Sequence, residues 1–444
     1  MDRIRLLHLL LALLALGCGN WGVADPRPNI VVFIMDDVGQ RDVGAFGNPA
    51  VHTPNIDRLA AEGMRFHRAF LTTSSCTASR ASILTGLYPH STGAPGLHDT
   101  LPAEVDSLPL QLKRAGYYTA SIGKWHLGEP FKSHFDRVVD MREHTGSADW
   151  LPELAKRPHD KPFFFWFASL DAHTPYDWHK PLLIDPPDEV IVPPWSKDSD
   201  YERRMLALYY HEIARVDGNI GKVIDVLRRD GVLDNTLVLV LSDNGAIFGG
   251  AKTTLYDEGL LTPLILRYPP RIAAGLANNQ LVSSIDLAPT LLALAGAPVP
   301  AGMDGVSLWP TITDPQQAVR QYIYAERNRQ GPDHYFERAI RTREFLYKRN
   351  YNGRRVCDPL ADTIFGDKPR DSKHRELYHI PSDPLAQHDL SELPQYHAVL
   401  TSLRQVMNIT MHVTHDDPPP LVMEQCPLRP WHERIRFPQG WRQP

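Results

Sequence analysis

Pro28-Asn-Ile-Val-Val-Phe-Ile-Met-Asp-Asp37 is the stretch from which the fold is read. Its centre, Ile30 to Ile34, is apolar at every position and rich in β-branched side chains. A strand apolar on both faces belongs in a parallel sheet covered by helices, not on a surface where sides alternate. Tyr117 to Ile122, Phe163 to Leu170 and Thr236 to Leu241 have the same character. Helical patterns lie between them. Asn55 to Glu62 follows the start signal Thr53-Pro54, and Leu108 to Ala115 stops at Gly116. Arg203 to Arg229 is a long helical stretch that holds Gly218 and Gly221. This alternation predicts an α/β sandwich from about residue 29 to about residue 310.

Polar residues cluster just beyond each strand. Asp36-Asp37 follows the first, and Lys124 and His126 follow the second. Asp171 and His173 follow the third, and Asp243-Asn244-Gly245 the fourth. Ligands of open α/β sheets bind outside the carboxyl ends of the strands. Four strand ends therefore bring acid, amide, amine and imidazole groups to one edge. Alone, Asp36-Asp37 reads first as a turn or helix cap. With Asp243 and Asn244 it makes an oxygen set suited to calcium or magnesium. No Cys-x-x-Cys or clustered His pattern points to zinc.

The second informative stretch is Ser75-Cys76-Thr-Ala-Ser-Arg80-Ala-Ser-Ile-Leu-Thr-Gly86. Ser79 to Thr85 reads as a helix ended by Gly86, with Cys76 at or just before its start. Unpaired amides there favour an anion, and Arg80 adds a planar fork of donors. A buried small apolar residue is the plainer reading of Cys76.

After about Pro310 the pattern changes. Arg338 to Thr342, Phe345 to Asn350 and Glu376 to Ile380 read as a small antiparallel sheet, with a helix near Tyr396 to Met407. Arg338, Arg341, Arg343, Lys348 and Arg349 read as the wet face of a hairpin, or as a surface that meets an anionic glycan.

The chain has 444 residues and a formal charge of −5. That charge gives no overall basic field for nucleic acid or an anionic membrane, so a polyanionic substrate needs a local positive site. Arg3, Arg5 and the apolar run Leu6 to Leu16 read as a signal peptide over residues 1–24. Export is the implied consequence. Cys18 leaves lipid anchoring as a second reading. Cys357 and Cys426 are the remaining candidates for a disulfide.

Cys76-Thr-Ala-Ser-Arg80, running on into Thr85-Gly86, resembles the signature of the formylglycine-dependent sulfatases. Alanine stands at position 78 where proline is usual. Thr53-Pro-Asn-Ile-Asp-Arg-Leu59, Gly123-Lys-Trp-His-Leu-Gly128, Leu255-Tyr-Asp-Glu-Gly259 and Asp286-Leu-Ala-Pro-Thr290 belong with it. The similarity spans roughly residues 28 to 420. A narrower resemblance is to the sulfamidase branch, the N-sulfoglucosamine sulfohydrolases. It rests on Ser74 to Leu87, Gly96-Leu97-His98, Ala214-Arg-Val-Asp217, Glu376-Leu-Tyr378 and Thr414-His-Asp416. Lys252 departs from it, since that branch has arginine there and O-sulfatases have lysine.

The resemblance implies an alkaline-phosphatase-like sandwich with a large, mostly parallel sheet. It implies a catalytic domain over 25–315 and a C-terminal α+β subdomain over 316–444 that completes the cleft. Asp36, Asp37, Asp243, Asn244 and modified Cys76 would hold one calcium ion. Cys76, oxidised to formylglycine by a maturing enzyme, would be the nucleophile. Arg80 and Lys124 would stabilise it, and His126 would assist its turnover. His173 and Lys252 would meet the sulfate and leaving group, and His98 would border the substrate. The implied partners are a sulfated glycan and the maturing enzyme, with a homodimer allowed. Two rivals remain open: a two-zinc phosphatase or phosphonate hydrolase on the same fold, and an inactive sulfated-glycan-binding protein.

Overall fold

In chain order the strands are Asn29–Met35 (β1), Met64–Phe66 (β2), Ala69–Phe70 (β3), Tyr118–Gly123 (β4), Arg137–Asp140 (β5), Phe163–Ala168 (β6) and Thr236–Ser242 (β7). They continue with Leu264–Arg267 (β8), Leu276–Asn278 (β9), Val282–Ser283 (β10), Ile323–Arg327 (β11), Glu337–Arg341 (β12), Phe345–Asn350 (β13) and Arg375–His379 (β14). The structure is a computed structural model that describes residues 27–141, 145–176, 186–330, 335–351 and 374–417. The signal peptide, Cys18, Cys357 and Cys426 lie outside the described residues. Among those described, no helix is long and apolar enough to cross a membrane.

Eight strands form one sheet in the order β5-β4-β6-β1-β7-β8-β2-β9. It is mostly parallel, and β8 runs against both of its neighbours. The continuous apolar runs occupy the centre, as their two-sided hydrophobicity requires. Ile30, Val32 and Ile34 pack on one face with the helices Cys76–Thr85, Leu108–Arg114 and Leu287–Ala295. Val31, Phe33 and Met35 pack on the other with Pro54–Ala61, Trp150–Leu154 and Asp200–Arg229.

Register sets the edge. Ile34 pairs with Ala168 and Leu241, Met35 with Ser242, and Gly123 with Ala168. The strands β1, β4, β6 and β7 thus end at one level, and the residues after them emerge side by side. Gly123 is needed there. Its φ is +107°, and a Cβ would lie 1.9 Å from the carbonyl oxygen of Ala168.

The long helix runs unbroken from Asp200 to Arg229 through Gly218 and Gly221. Gly221 lets the helix Pro54–Ala61 approach, since a Cβ there would meet the Asn55 side chain at 2.5 Å. One turn earlier, Asp217 accepts the backbone N–H of Ile56 at 2.8 Å and of Asn55 at 3.1 Å. It caps the start of that neighbouring helix, where amides lack partners.

The last four strands form an antiparallel sheet in the order β11-β12-β13-β14. Leu400, Leu403 and Met407 of the helix His397–Val413 cover it through Ile340, Tyr347 and Leu377. The basic cluster is corrected here. Arg338, Arg341 and Lys348 are buried rather than wet. Arg341 forks onto Asp257 with two 2.8 Å bonds. Lys348 lies 3.3 Å from Glu376 and 3.6 Å from the centre of the Tyr256 ring. Tyr256 donates to Glu376 at 2.6 Å. Tyr256 and Asp257 thus fasten the small sheet to the large one. Only Arg343 is exposed, and Arg349 is half-buried against Tyr351.

Candidate active site

Cys76 is the first residue of a ten-residue helix, three positions earlier than the start read from the sequence. Ser75 before it is extended and makes no side-chain cap to the first-turn amides. Gly86 ends the helix at φ +67°. The thiol sits 3.3 Å from Asn244 Oδ1 and 3.7 Å from Asp36 Oδ1. Burial pushes it up to about 12, more than Lys124 and Lys252 pull it down.

Asp36, Asp37, Asp243 and Asn244 are fully buried at the ends of β1 and β7. The Asp37 backbone N–H donates to Asp243 Oδ1 at 3.3 Å, and Asn244 Nδ2 donates to Asp37 Oδ1. Arg80 Nε donates to Asp243 Oδ2 at 2.7 Å, and its outer nitrogen lies 3.7 Å from Asp36. That outer nitrogen is buried and has no hydrogen-bond acceptor among the described residues. Lys124 donates to Asp36. Lys252 lies 2.6 Å from Asp37 Oδ1. Burial alone would raise both aspartates. Lys124 brings Asp36, and Lys252 with His173 brings Asp37, below the usual carboxylate range.

Lys252 reaches the site on a braced loop. The N–H of Thr253, whose φ is +71°, donates to Ser74 Oγ at 3.0 Å and to the Ser74 carbonyl at 3.1 Å. His173 Nε2 is 3.9 Å from Asp37 Oδ2. Asp36, Asp37, Cys76 and His173 each place a ligand atom within 4.8 Å of the others. Three carboxylates and an amide oxygen match a hard cation, and the residues present fit one. Two buried cations, Arg80 and Lys124, and the half-buried Lys252 stand around the same carboxylates, so a bound dianion would find its charge met there.

Of the residues read from the sequence, Asp36, Asp37, Cys76, Arg80, Lys124, His173, Asp243, Asn244 and Lys252 converge. His126 and His98 lie beside them as a pair, with His126 Nε2 2.7 Å from His98 Nδ1. Asp171 does not join. It bonds Arg215 at 2.6 Å and Ser169 at 2.7 Å, facing the long helix. Thr77, Arg329 and Gln330 escape a reading of the sequence. Thr77 Oγ1 accepts the N–H of His98 at 3.1 Å, Arg329 pairs with Asp99, and Ser75 Oγ donates to Gln330 at 3.3 Å. More than two hundred positions separate both Asp99 from Arg329 and Ser75 from Gln330, so no local spacing signals either contact.

The sulfatase family model matches residues 28–297, and a model for the C-terminal region of N-sulphoglucosamine sulphohydrolase matches 249–356. The chain is 30% identical to human N-sulphoglucosamine sulphohydrolase over 466 residues, covering 89% of this chain and 92% of that protein. It is 29% identical to an ulvan-active sulfatase of Formosa agariphila, covering 85% and 78%. A solved protein in complex with its substrate D-glucosamine-2-N,6-O-disulfate superposes with a TM-score of 0.72 at 23% identity, covering 88% and 99%. That last likeness bears on the fold, an alkaline-phosphatase-like sandwich with a small antiparallel C-terminal sheet. A family match over more than half of the chain, and a human relative matched nearly end to end, place this chain in the sulfatase family of sulfuric ester hydrolases.

Proposed function

We propose that the protein removes the N-sulfo group of glucosamine from heparan- or heparin-type glycans, using a formylglycine made from Cys76 and one calcium ion. The carrying observation is the seat of Cys76: on a helix start, against Asn244 and Asp36, with Arg80 one turn on. As a thiol pushed up to about 12, Cys76 is a poor nucleophile at neutral pH, which supports a modified residue there. The similarity to human N-sulphoglucosamine sulphohydrolase supports the N-sulfo substrate.

When bound, the calcium ion and the formylglycine form of residue 76 supply a hydrated-aldehyde nucleophile and neutralise sulfate charge. Asp36, Asp37, Asp243 and Asn244 would hold the ion. Arg80, Lys124 and Lys252 counter the charge on the transferring group. His173 holds the proton given to the departing nitrogen, a contribution of about a hundred- to ten-thousand-fold. His126 accepts a proton during reset of residue 76. His98, His173 and Lys252 border the substrate. The C-terminal region, from about residue 316, closes the cleft through the Arg329 and Gln330 contacts. The reading includes export by the segment 1–24 and a maturing enzyme as partner.

Lys252 favours a second reading, a carbohydrate O-sulfatase, because lysine is the residue of that branch. A release assay on defined heparan fragments decides between them, comparing N-sulfo with 2-O- and 6-O-sulfo groups. Faster N-sulfate release supports the proposal, and preference for an O-sulfated fragment overturns the N-sulfo assignment. Peptide mass spectrometry of the active protein checks residue 76, and an unmodified thiol there overturns the nucleophile.

A further inference from the structure

His98 and His126 form a titratable pair beside the candidate site, and three features show that their contact is built. Both sit at positive φ, +66° and +55°, which bulky residues rarely adopt. Their rings meet Nδ1 to Nε2 at 2.7 Å. The two loops are clamped. The N–H of Leu101 donates to the Leu127 carbonyl at 3.0 Å, and Gly128 at φ +81° leaves no room for a Cβ beside Thr100.

The His98 loop is also tied at two further points. Its own N–H donates to Thr77 Oγ1, on the residue next to Cys76. Asp99 pairs with Arg329, and the Leu97 N–H donates to the Arg329 carbonyl at 3.0 Å. His98 is exposed, whereas the Nδ1 of His126 is buried and has no hydrogen-bond partner among the described residues.

One proton lies between the two ring nitrogens, so the tautomers are coupled. Burial, then Lys124, Arg80 and the neighbouring ring, push His126 down to about 3. Burial and Lys124 also lower His98. Both rings are therefore neutral near pH 7. The positive charge of Lys124 and Arg80 acts on the ring, and it favours a lone pair on the unpartnered buried Nδ1 with the N–H on Nε2, where an acceptor is present.

We infer that His98 is a positioning residue: its Nδ1 accepts the Nε2–H of His126, holding His126 in the tautomer whose bare Nδ1 is the base of the reaction chamber. A proton then arrives on Nδ1 in the reset step and leaves from Nδ1 to water when product departs. Throughout, Nε2–H stays on His98. This deepens the proposed function and rests on His126 serving as its base.

Asparagine is the discriminating substitution. Its Oδ1 occupies the place of the histidine Nδ1, and asparagine tolerates positive φ. In protein with ¹⁵N-labelled histidine, the His126 ring should show the Nε2–H form in the wild type and in His98→Asn, and a mixture in His98→Ala. His98→Ala should lose about a hundredfold or more in kcat with a smaller change in KM. His98→Asn should recover most of that kcat.

An Nδ1–H form in the wild type overturns the inference. So does a His98→Ala protein with unchanged kcat and raised KM, which makes His98 a substrate contact only. The resonance measurement needs no turnover, and kinetics are read on whichever sulfate the wild type cleaves. Failure of the N-sulfo assignment is thereby kept apart from failure of the histidine pairing.

Discussion

Lys252 Nζ lies 2.6 Å from Asp37 Oδ1 and 2.8 Å from Asp37 Oδ2, so a loop lysine neutralises a carboxylate that has no exposure to water. Burial would raise Asp37, and Lys252 is the largest influence lowering it. A depressed carboxylate stabilises the fold above its unfolded pKa, and that stability is lost as pH falls through the folded value. In Lys252→Met the burial effect is less opposed and Asp37 rises. Acid unfolding, tracked by tryptophan fluorescence, should therefore begin at higher pH than in the wild type. Sulfate release should fall about a hundred- to thousandfold in kcat.

Calcium should stabilise the protein. At a hundred times its Kd a ligand bound only to the native state adds about 2.7 kcal/mol. Thermal unfolding should shift upward with calcium and downward with a chelator, and Asp36→Asn should abolish the difference. Equal melting in calcium and chelator would remove the ion from this site.

Arg80 and Asp243 form an ion pair with no exposure on either side. Removing one partner of a buried pair costs about 3–5 kcal/mol where the other charge is left unmatched. Without Asp243 the Arg80 guanidinium keeps, of its carboxylate contacts, only the longer 3.7 Å one with Asp36. Asp243→Asn should show that loss in urea unfolding without calcium. A change below about 1 kcal/mol, by the same principle, would mean that Arg80 finds another partner.

His90 joins Glu326 at 2.7 Å and lies 3.8 Å from Asp416, next to Arg338. Burial opposes its charge, but the Glu326 bond and charge, then Asp416, lift it to about 9. A raised histidine stabilises fully below its unfolded pKa of about 6.5, and the effect disappears as pH rises through about 9. The contribution is about 3 kcal/mol. Wild type should lose stability between pH 6.5 and 9 relative to His90→Gln. Parallel stability curves for the two proteins would show that the ring is not charged.

The four central strands and their polar ends were legible because each signal is local: an apolar run, then acid, amine or amide. β11 was not. Ile-Tyr-Ala-Glu-Arg over 323–327 neither alternates nor runs apolar, and it is a strand because β12 pairs with it and its Glu326 meets His90. Arg338, Arg341 and Lys348 looked solvated because their partners Asp416, Asp257 and Glu376 are 78, 84 and 28 positions away. The helix through Gly218 and Gly221 was readable, but the reason for Gly221, close approach of Asn55, is tertiary. Asp171 shows the converse, a strand-end acid in the expected place whose partner Arg215 claims it.

The common level at which β1, β4, β6 and β7 stop makes the chemistry a property of pairing rather than of any one loop. Sliding β1 by a single residue would swing Asp36 and Asp37 to opposite sides of the sheet and dismantle the core with them. Selection on the core therefore also holds Asp36, Asp37, Lys124, Asp243 and Asn244 together at one edge.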